Sequence, residues 1–551
     1  PIPKRMRWGA ERTEFVRPVH WLVMLFGDEI VDAEVMGLKA GRETRGHRFH
    51  YDQTVSIQSA SDYVAQLHSP AYVMVDMAAR KQLIREQVTE EAKKLNGLAV
   101  IDEDLLDEVN ALVEWPTALA GRFEERFLAV PSEALISSMK EHQKYFHVVD
   151  DNGELLPHFI TVSNIVSKDP KQVINGNERV IRPRLADAAF FFETDKKTSL
   201  LQQRDRLKSI VFQTQLGTLF DKTERVSKLA KVIAEQIGAD SELAYRAGIL
   251  CKSDLVTDMV IEFDKMQGVA GYYYGINDGE TEEVASALNE QYLPRFAGDS
   301  LPAGTTGLIL ALADRLDTLT GIFGIGQSPT GSKDPFALRR ASVAVLRLLV
   351  EKELDLDLRS LLTLAIEQHQ TLTEGEKLVD NILSYMIERF RAGYEDANIA
   401  AEVFMAVSAK NLSKPLDINQ RVLAVHGFSQ LAEAQSLAAA NKRVSNILSK
   451  QENVSLPELN DSLLVEPAEK ALAQLVAEKA KVVAPLFAES KYSAALEQLA
   501  GLRDTVDTFF DDVMVMAEDE ALRNNRLALL TQLRGLFLEV ADISYLVPAK
   551  K

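Results

Sequence analysis

The sequence predicts a multidomain, mainly α-helical protein whose N-terminal part is an α+β domain. Three observations support this fold class. The chain has 551 residues, which exceeds what one hydrophobic core usually holds, so several domains are expected. Hairpin signals are concentrated in the first third of the chain. From about Thr198 onward, apolar residues recur with the 3.6-residue period of helices. We therefore place domain boundaries near residues 197 and 351.

The first domain, 1–197, contains two predicted hairpins. In the first, the segments 20–26 and 30–35, the second with apolar Ile30, Ala33 and Val35, flank Gly27-Asp28-Glu29. In the second, residues 145–149 and 155–162 flank Asp150-Asp-Asn-Gly153, whose Asn-Gly pair suits a tight turn with positive φ angles. Helical patterns at 61–67 and 78–95 complete an α+β domain.

The second domain, 198–351, reads as helices. One apolar stripe follows i, i+3, i+4, i+7 and i+11 spacing before Gly238, which predicts the end of that helix; it consists of Val226, Leu229, Ala230, Ile233 and Ile237. Further helices are expected at 241–263, 282–292 and 306–323. Another is expected to begin at Asp334-Pro335, because Asp caps helices and Pro suits their first position.

Beyond residue 351 nearly every segment has a helical pattern, and the segments 411–415 and 456–461 are the expected joints between helical blocks. The last expected helix, 519–540, has an apolar stripe with Arg523 and Arg526 beside it.

Composition excludes several classes of protein. Apolar and charged residues make up 46% and 26%, as in ordinary globular proteins. The longest apolar run near the N-terminus, 21–26, is far below the roughly 20 residues that span a bilayer, and no secretory signal is visible in the sequence. We therefore expect no membrane partner. The net charge of −19 argues against a non-specific nucleic-acid binder, although a local basic face such as 168–208 permits RNA recognition. A solvated mixed-charge surface is the alternative there.

The single cysteine, Cys251, excludes internal disulfides and indicates a reducing, cytoplasmic setting. It lies in an apolar helical stretch, so we expect a packed, unreactive thiol rather than a nucleophile.

No self-contained active site is visible. None of the nine histidines lies between Phe159 and Gln368, and the pair His47 and His50 lacks a carboxylate partner, so no metal ligands are assigned. No P-loop, GxSxG, kinase or Rossmann pattern occurs, and no catalytic residue is assigned. A large protein of this kind is often the binding partner of a catalytic chain.

Several motifs along the chain resemble one family, the bacterial glycyl-tRNA synthetase beta subunit. They occur in the order of that family and are Met6-Arg-Trp-Gly9, Phe15-Val-Arg-Pro-Val-His-Trp21, Gly46-His-Arg-Phe49, Val113-Glu-Trp-Pro116, Pro131-Ser-Glu133, Met139-Lys-Glu-His-Gln-Lys-Tyr-Phe146, Asn175-Gly-Asn-Glu-Arg-Val180, Arg182-Pro-Arg-Leu-Ala-Asp-Ala188, Gly331-Ser-Lys-Asp-Pro-Phe-Ala-Leu-Arg-Arg340 and Asn441-Lys-Arg-Val-Ser-Asn-Ile-Leu448. The segment 509–526 is similar to the helical anticodon-binding domain shared with arginyl-tRNA synthetases.

The resemblance implies an α2β2 glycine-tRNA ligase. Its alpha subunit joins glycine to tRNA using ATP and Mg, whereas the beta subunit binds tRNA(Gly), and no cofactor is expected in this chain. The family has an additional segment before Met6, so the resemblance and the initial Pro1 together imply N-terminal truncation.

The resemblance also implies domain identities. Region 1–197 is similar to a B3/4 domain, 198–351 to an HD domain, 352–430 to a helical linker or body, and 431–551 to the anticodon-binding domain. In the HD-like region the metal-binding pair is replaced by Cys251-Lys-Ser-Asp254, and Asp314 is the later acid, so a degenerate site is expected. An HD-type metal phosphohydrolase and a non-catalytic helical scaffold are the alternative functions.

Candidate tRNA contacts are basic or polar residues of the anticodon-type domain, because arginine binds phosphate and stacks on bases; they are Lys442, Arg443, Arg523, Asn525 and Arg526. Lys333, Arg339 and Arg340 form a second group. Alternatively, these side chains pair with Asp511, Asp512 or Glu518 inside the bundle. Of Phe509 and Phe510, at least one is expected in the core.

Overall fold

The computed structural model describes residues 4–10, 12–369, 372, 375–451 and 457–547. The chain forms two compact units. The first comprises Pro1–Ser199 and Leu255–Tyr273, and the second comprises Leu200–Asp254 and Tyr274–Lys551. The finer division into four domains stays a prediction.

Short antiparallel ladders begin the first unit. They pair β1 (Met6–Arg7) with β2 (Glu14–Phe15), β3 (Leu25–Phe26) with β4 (Glu29–Ile30), β5 (Glu34–Val35) with β6 (Leu38–Lys39), and β7 (Glu43–Arg45) with β8 (Thr54–Ser56). Leu25 faces Ile30 across the turn, which confirms the first predicted hairpin with shorter strands than expected.

A four-stranded antiparallel sheet of order β10-β12-β11-β9 is the larger element of this unit. Its strands are β9 (Leu98–Ala99), β10 (Thr117–Arg122), β11 (Phe146–Val149) and β12 (Leu155–Ser163). The Asn-Gly hairpin is confirmed, since Val149 pairs with Leu155 and Gly153 has a φ of 86°. Ile84, Val88 and Leu106 from helices pack with Phe146 and Ile160 from the sheet to form its core.

The helices of the first unit are α1 (Tyr63–His68), α2 (Met77–Lys94), α3 (Glu103–Leu112), α4 (Ser132–Ser137), α5 (Pro170–Asp195) and α9 (Asp258–Glu262). The first two confirm the predicted helices. Helix α5 was not predicted, because it has Pro183 in its interior and an Asn175-Gly176 pair near its start.

The second unit is almost entirely helical, and α10 (Val269–Asn277) includes the boundary between the units. A small ladder pairs β13 (Val211–Gln213) with β14 (Gly217–Thr218). The other helices are α6 (Leu200–Gln203), α7 (Leu219–Ile237), α8 (Ser241–Leu250), α11 (Glu282–Glu290), α12 (Thr305–Gly324), α13 (Leu338–Glu351), α14 (Leu358–Glu367), α15 (Gly375–Asp396), α16 (Ala401–Ser408), α17 (Pro415–Ser429), α18 (Ala434–Leu448), α19 (Pro467–Ala488), α20 (Tyr492–Ala500), α21 (Arg503–Asp512) and α22 (Glu520–Leu538).

Helix α7 confirms the predicted stripe and its end. Val226, Leu229 and Ile233 are buried, and Gly238 terminates the helix in the left-handed conformation with φ 71°. The prediction of a single helix over 241–263 was wrong. Helix α8 ends at Leu250, because Cys251 is extended and Lys252 has a φ of 67°.

The predicted start at Asp334-Pro335 was also wrong, although Asp334 does bind the first turn of the helix. Helix α13 begins at Leu338, four residues later than Asp334. The Asp334 carboxylate accepts hydrogen bonds from the backbone N–H groups of Leu338 at 2.8 Å and Arg339 at 3.0 Å. Asp334 therefore binds N–H groups of the first helical turn, but the N-cap residue is Ala337, because an intervening turn separates Asp334 from the helix.

The chain is therefore mainly α-helical with small sheets, as predicted. Among the residues that the structure describes, none of the helices combines the length and the apolarity needed to cross a bilayer.

Candidate nucleic-acid interface

The C-terminal helices α18, α19, α21 and α22 pack into a bundle that carries five of the eight predicted tRNA contacts. Its interior is formed by large apolar side chains such as Leu472, Phe509, Leu529, Leu533 and Phe537. Because Phe509 is fully buried and Phe510 is half-buried, the expectation that at least one of them belongs to the core is confirmed.

Arg443 is exposed on α18, and its guanidinium lies 4.4 Å from the centroid of the Phe510 ring. Within the described residues it makes no ion pair with a carboxylate. Ring contact holds the guanidinium plane and leaves its N–H edge to meet a phosphate. The neighbouring Lys442 is half-buried, and its ammonium donates to the carbonyl of Val547 at 3.3 Å.

Arg523 supports a loop rather than standing free on α22. It is half-buried, and its Nη1 donates to the carbonyl of Ala517 at 3.2 Å. Arg526 donates to the carbonyl of Met514 at 2.8 Å. The two arginines therefore hold both ends of the segment between α21 and α22, residues 513–519, which we call the methionine loop.

Asn525 and Arg526 are buried, with 1% and 7% of their surfaces exposed. The Asn525 side chain accepts from the backbone N–H of Asn460 at 2.7 Å and donates to its carbonyl at 3.1 Å. Arg526 forms an ion pair with Glu469. The alternative of pairing inside the bundle thus holds for Arg526, although its partner is none of the three acids considered. These two side chains stabilise the bundle.

Sequence reasoning missed two exposed residues of the methionine loop. Val513 and Val515 are 4% and 5% exposed, whereas Met514 and Met516 are 76% and 47% exposed. The alternation Val-Met-Val-Met was the available signal, since a period of two indicates an extended segment with one outward face.

The predicted contacts of this bundle do not form one cluster. Arg534 of α22 lies beside Ser445 of α18, with Nη2 3.3 Å from Oγ. Arg523 lies 11 residues before Arg534, which is about 16 Å along a helix. Arg443 and Arg523 therefore occupy separate places along the bundle.

The second predicted group surrounds the turn before α13. Lys333 is exposed at this turn. Its backbone N–H donates to the Thr330 carbonyl at 2.9 Å, and its carbonyl accepts from the Thr330 N–H at 3.1 Å. Arg339 donates to the Gly331 carbonyl and so holds the turn.

Arg340 is exposed on the first turn of α13, and its Nη1 lies 3.4 Å from the carbonyl of Arg295. Arg295 is exposed as well, and the adjacent Phe296 is 63% exposed. Sequence reasoning missed these two residues, because only the tertiary fold brings them beside Arg340. The three side chains offer two guanidinium groups and a ring to solvent.

A buried charged cluster lies between α7 and α12. Lys222 donates to the Asp314 carbonyl at 3.1 Å, to Asp317 Oδ2 at 3.0 Å and to Thr318 Oγ1 at 2.8 Å. These bonds use all three ammonium protons. Although burial favours the neutral amine, the carboxylates of Asp314 and Asp317 outweigh it and raise the pKa of Lys222 above its ordinary value.

A second buried ammonium group, that of Lys252, binds Asp314, the acid of the expected degenerate site. Lys252 Nζ lies 3.0 Å from Asp314 Oδ2, and Lys222 Nζ lies 3.1 Å from Oδ1. Burial by itself would raise the pKa of the Asp314 carboxyl, but the two lysines hold it far below its usual range. Each carboxylate oxygen therefore faces a cation.

These residues do not fit a metal ion. Two ammonium groups flank Asp314, and within the described residues no group of three His, Cys, Asp or Glu side chains lies close enough to hold a metal. The donor set that an HD-type phosphohydrolase needs is replaced here by lysine, which carries its own charge and is no ligand when protonated.

The prediction of a packed thiol is confirmed. Cys251 is fully buried beside Lys252, and burial raises the pKa of its thiol to about 12. A nucleophilic thiolate is therefore not accessible at this position.

Two family models match the chain. The model described as glycyl-tRNA synthetase beta subunit matches residues 1–409, and the model of the DALR anticodon binding domain matches residues 437–543. The second match covers the bundle that carries Arg443 and the methionine loop.

Curated relatives match nearly the whole chain. A protein of Chromohalobacter salexigens named glycine–tRNA ligase beta subunit is 60% identical over 99% of this chain and 79% of its own length. Proteins of the same name from Marinobacter nauticus and Hahella chejuensis are 58% and 57% identical, covering 100% and 99% of this chain and 79% of their own lengths.

Proposed function

The chain belongs to the glycyl-tRNA synthetase beta subunit family, and from that premise we propose that it binds and positions tRNA(Gly) while a separate alpha subunit attaches glycine. The observation that carries this proposal is the C-terminal bundle. It matches the anticodon binding model over 437–543 and presents Arg443 and the exposed Met514 and Met516 side chains.

The bundle has the chemistry that RNA recognition requires. A guanidinium held against a ring binds a phosphate with little loss of side-chain freedom. Exposed methionines offer soft apolar contact to unstacked bases, which proteins read in single-stranded loops. Asn525 and Arg526 act indirectly in this proposal, because they hold the elements that present these groups.

We assign a second RNA contact to the exposed group of Lys333, Arg340, Arg295 and Phe296. Arg339 orders the turn that carries Lys333. The chain as a whole has a net charge of −19, so RNA must be attracted to local basic faces such as this one rather than to the whole surface.

The alpha subunit is the proposed protein partner, in an α2β2 assembly. ATP and Mg would act at the alpha subunit, and this chain would bind neither as its own cofactor. In this division of labour the present residues hold and orient RNA, while bond formation takes place on the other polypeptide.

The test is a reconstituted charging assay. Mixing the beta chain at the full length of the relatives with the alpha subunit is expected to restore glycine attachment to tRNA(Gly), and this chain is assayed beside it. The chain by itself is expected to give no glycine-dependent ATP–pyrophosphate exchange; activity there would refute the proposal. Equal binding of tRNA(Gly) and unrelated tRNAs would instead favour a helical scaffold.

A further inference from the structure

The first unit contains a series of neighbouring aromatic rings that the proposed function has not used. Along the series the ring centroids are 4.8 Å apart from His47 to His50, 5.0 Å to Tyr72, 5.3 Å to Trp115 and 5.2 Å to His68. We call these five residues the aromatic ladder. Its members come from three separate stretches of the sequence.

Hydrogen bonds determine how the first ring is held. His47 is fully buried, and its Nδ1 accepts from the backbone N–H groups of Phe49 and His50, both at 3.2 Å. Since Nδ1 accepts, the ring proton lies on Nε2, which donates to the carbonyl of Asn164 at 2.6 Å. His47 is therefore a structural support of the ladder.

The segment 164–166 also holds the backbone at Trp115 and the ring of His50. The side-chain oxygen of Asn164 accepts from the N–H groups of Glu114 at 2.7 Å and Trp115 at 3.0 Å. The N–H of Val166 donates to His50 Nε2 at 3.0 Å. Burial, followed by the neighbouring His47, lowers the pKa of His50 and so favours the neutral ring that accepts this bond. The rings are thus positioned before any ligand arrives.

Two rings of the ladder, Tyr72 and His68, and the neighbouring Phe49 ring face solvent. Tyr72 is 40% exposed and has a φ of 59°, a left-handed conformation that an aromatic residue seldom adopts. His68 is exposed, and Phe49, which adjoins the buried His47, is 71% exposed. Packing of a hydrophobic core does not explain why the rings of Tyr72 and Phe49 lie at the surface.

Cationic side chains flank the exposed rings. The Arg48 guanidinium lies 5.6 Å from the centroid of the Phe49 ring, and Lys168 is exposed two residues after Val166. In the described part of the chain neither forms an ion pair with a carboxylate. Asp52, Glu114 and Asp169 are exposed acids on the same segments.

We propose that the aromatic ladder stacks on an unpaired nucleotide of the bound tRNA, with Arg48 contacting its phosphate. Exposed rings accept any base on their faces, and an unpaired arginine complements the phosphate charge. A duplex does not fit this chemistry, since its base faces are already covered. The proposal depends on the proposed function for taking tRNA as the ligand.

The ladder is tested with a single-stranded oligoadenylate carrying 2-aminopurine, and with a blunt RNA duplex of equal charge. Tyr72→Ala in the full chain is expected to weaken oligoadenylate binding about 5- to 100-fold, the range expected for loss of one stacked base. Tyr72→Phe keeps the ring and is expected to bind as the unaltered chain does. Phe26→Ala removes an 83% exposed ring outside the ladder and is the matched control. Thermal unfolding verifies that each variant is folded.

The same variants with tRNA(Gly) identify the source of the nucleotide. If removal of the single-stranded 3′ nucleotides abolishes the effect of Tyr72→Ala, the 3′ end occupies the ladder; if the effect persists, an unpaired loop does.

Two results would overturn the ladder proposal. One is unchanged oligoadenylate and tRNA(Gly) binding by folded Tyr72→Ala; if the unaltered chain still prefers tRNA(Gly), the proposed function survives that failure. The other is loss of alpha-subunit association with RNA binding intact, which would assign the rings to a protein interface. Conversely, oligoadenylate binding that depends on Tyr72 without any preference for tRNA(Gly) would uphold the rings as a base platform and refute the proposed function.

Discussion

Arg526 and Glu469 form an ion pair in which the carboxylate side chain is fully buried and the arginine side chain is 9% exposed. The other Glu469 oxygen accepts from the backbone N–H groups of Val465 at 2.7 Å and Glu466 at 3.0 Å at the start of α19. This pair joins α19 to α22 and, through the Met514 carbonyl, to the methionine loop.

Arg526→Ala is expected to lower the free energy of unfolding by about 3–5 kcal/mol, because it leaves the Glu469 carboxylate buried without its cation. Urea denaturation followed by circular dichroism measures this change. Arg443→Ala removes an exposed arginine from the same bundle and is expected to change stability by less than about 0.5 kcal/mol. Similar stability losses for the two variants would contradict the assignment of Arg526 to the interior.

Arg443→Ala is expected to weaken tRNA(Gly) binding and to reduce the slope of log affinity against log salt by about 1, since one phosphate contact is lost. Filter binding at several salt concentrations measures both quantities. Lys470→Ala removes an exposed cation from α19 in the same bundle and serves as the control. An unaltered slope for the Arg443 variant would mean that this arginine touches no phosphate.

Replacing Met514 and Met516 together by Ser is expected to lower tRNA(Gly) affinity about fivefold, equivalent to about 1 kcal/mol, while leaving the melting temperature unchanged. Both side chains are exposed, so their removal opens no cavity. Val515→Ala in the same loop is expected to have the opposite profile, with about 2 kcal/mol less stability from lost apolar burial. Calorimetry and filter binding on the same samples separate the two effects. Normal affinity of the double Met variant would exclude the loop from the interface.

Acid is expected to destabilise the second unit through Asp314 and Asp317, whose pKa values lie below the ordinary carboxyl range because buried cations outweigh the cost of burial. In the unfolded chain these groups titrate near pH 4. Their contribution to the free energy of unfolding is therefore complete above about pH 4 and is lost as pH falls further. Melting temperatures measured from pH 7 to pH 3 follow this loss.

Lys252→Met tests the origin of that acid sensitivity. Without one of its two ammonium partners, the folded-state pKa of Asp314 rises, so the variant is expected to be about 3–5 kcal/mol less stable at pH 7 and to lose less further stability on acidification. Lys228, which lies on the adjoining helix α7 without a carboxylate partner among the described residues, supplies the control variant Lys228→Met. An acid profile identical to that of the unaltered chain would show that Lys252 does not hold the Asp314 charge.

Cys251 is expected to resist alkylation by iodoacetamide in the folded chain up to about pH 9, because its thiol is buried and its pKa is raised to about 12. In denaturant it should react like an ordinary cysteine. Mass spectrometry of the alkylated protein measures both conditions. Rapid alkylation of the native chain would mean that α8 opens readily at its C-terminal end.

Local patterns predicted several elements well because neighbouring residues determine them. The Asn-Gly hairpin requires only a turn with positive φ at Gly153, and α7 follows from its apolar stripe and Gly238. Local patterns did not predict helix α5, because Asn175-Gly176 and Pro183 disfavour a helix. Burial of Ile181 and Leu185 in the folded chain offsets that preference.

By itself the sequence determined the fold class, the order of the helical blocks and, through its motifs, the family. Those properties depend on local periodicity and on the order of short segments along the chain. The tertiary structure alone decided which charged residues face solvent and which are buried. Arg443 and Arg526 have the same side chain, yet one lies on a ring at the surface and the other is held by Glu469 from a helix 57 residues away. Burial and pairing depend on contacts between distant segments, which residue type and spacing do not specify.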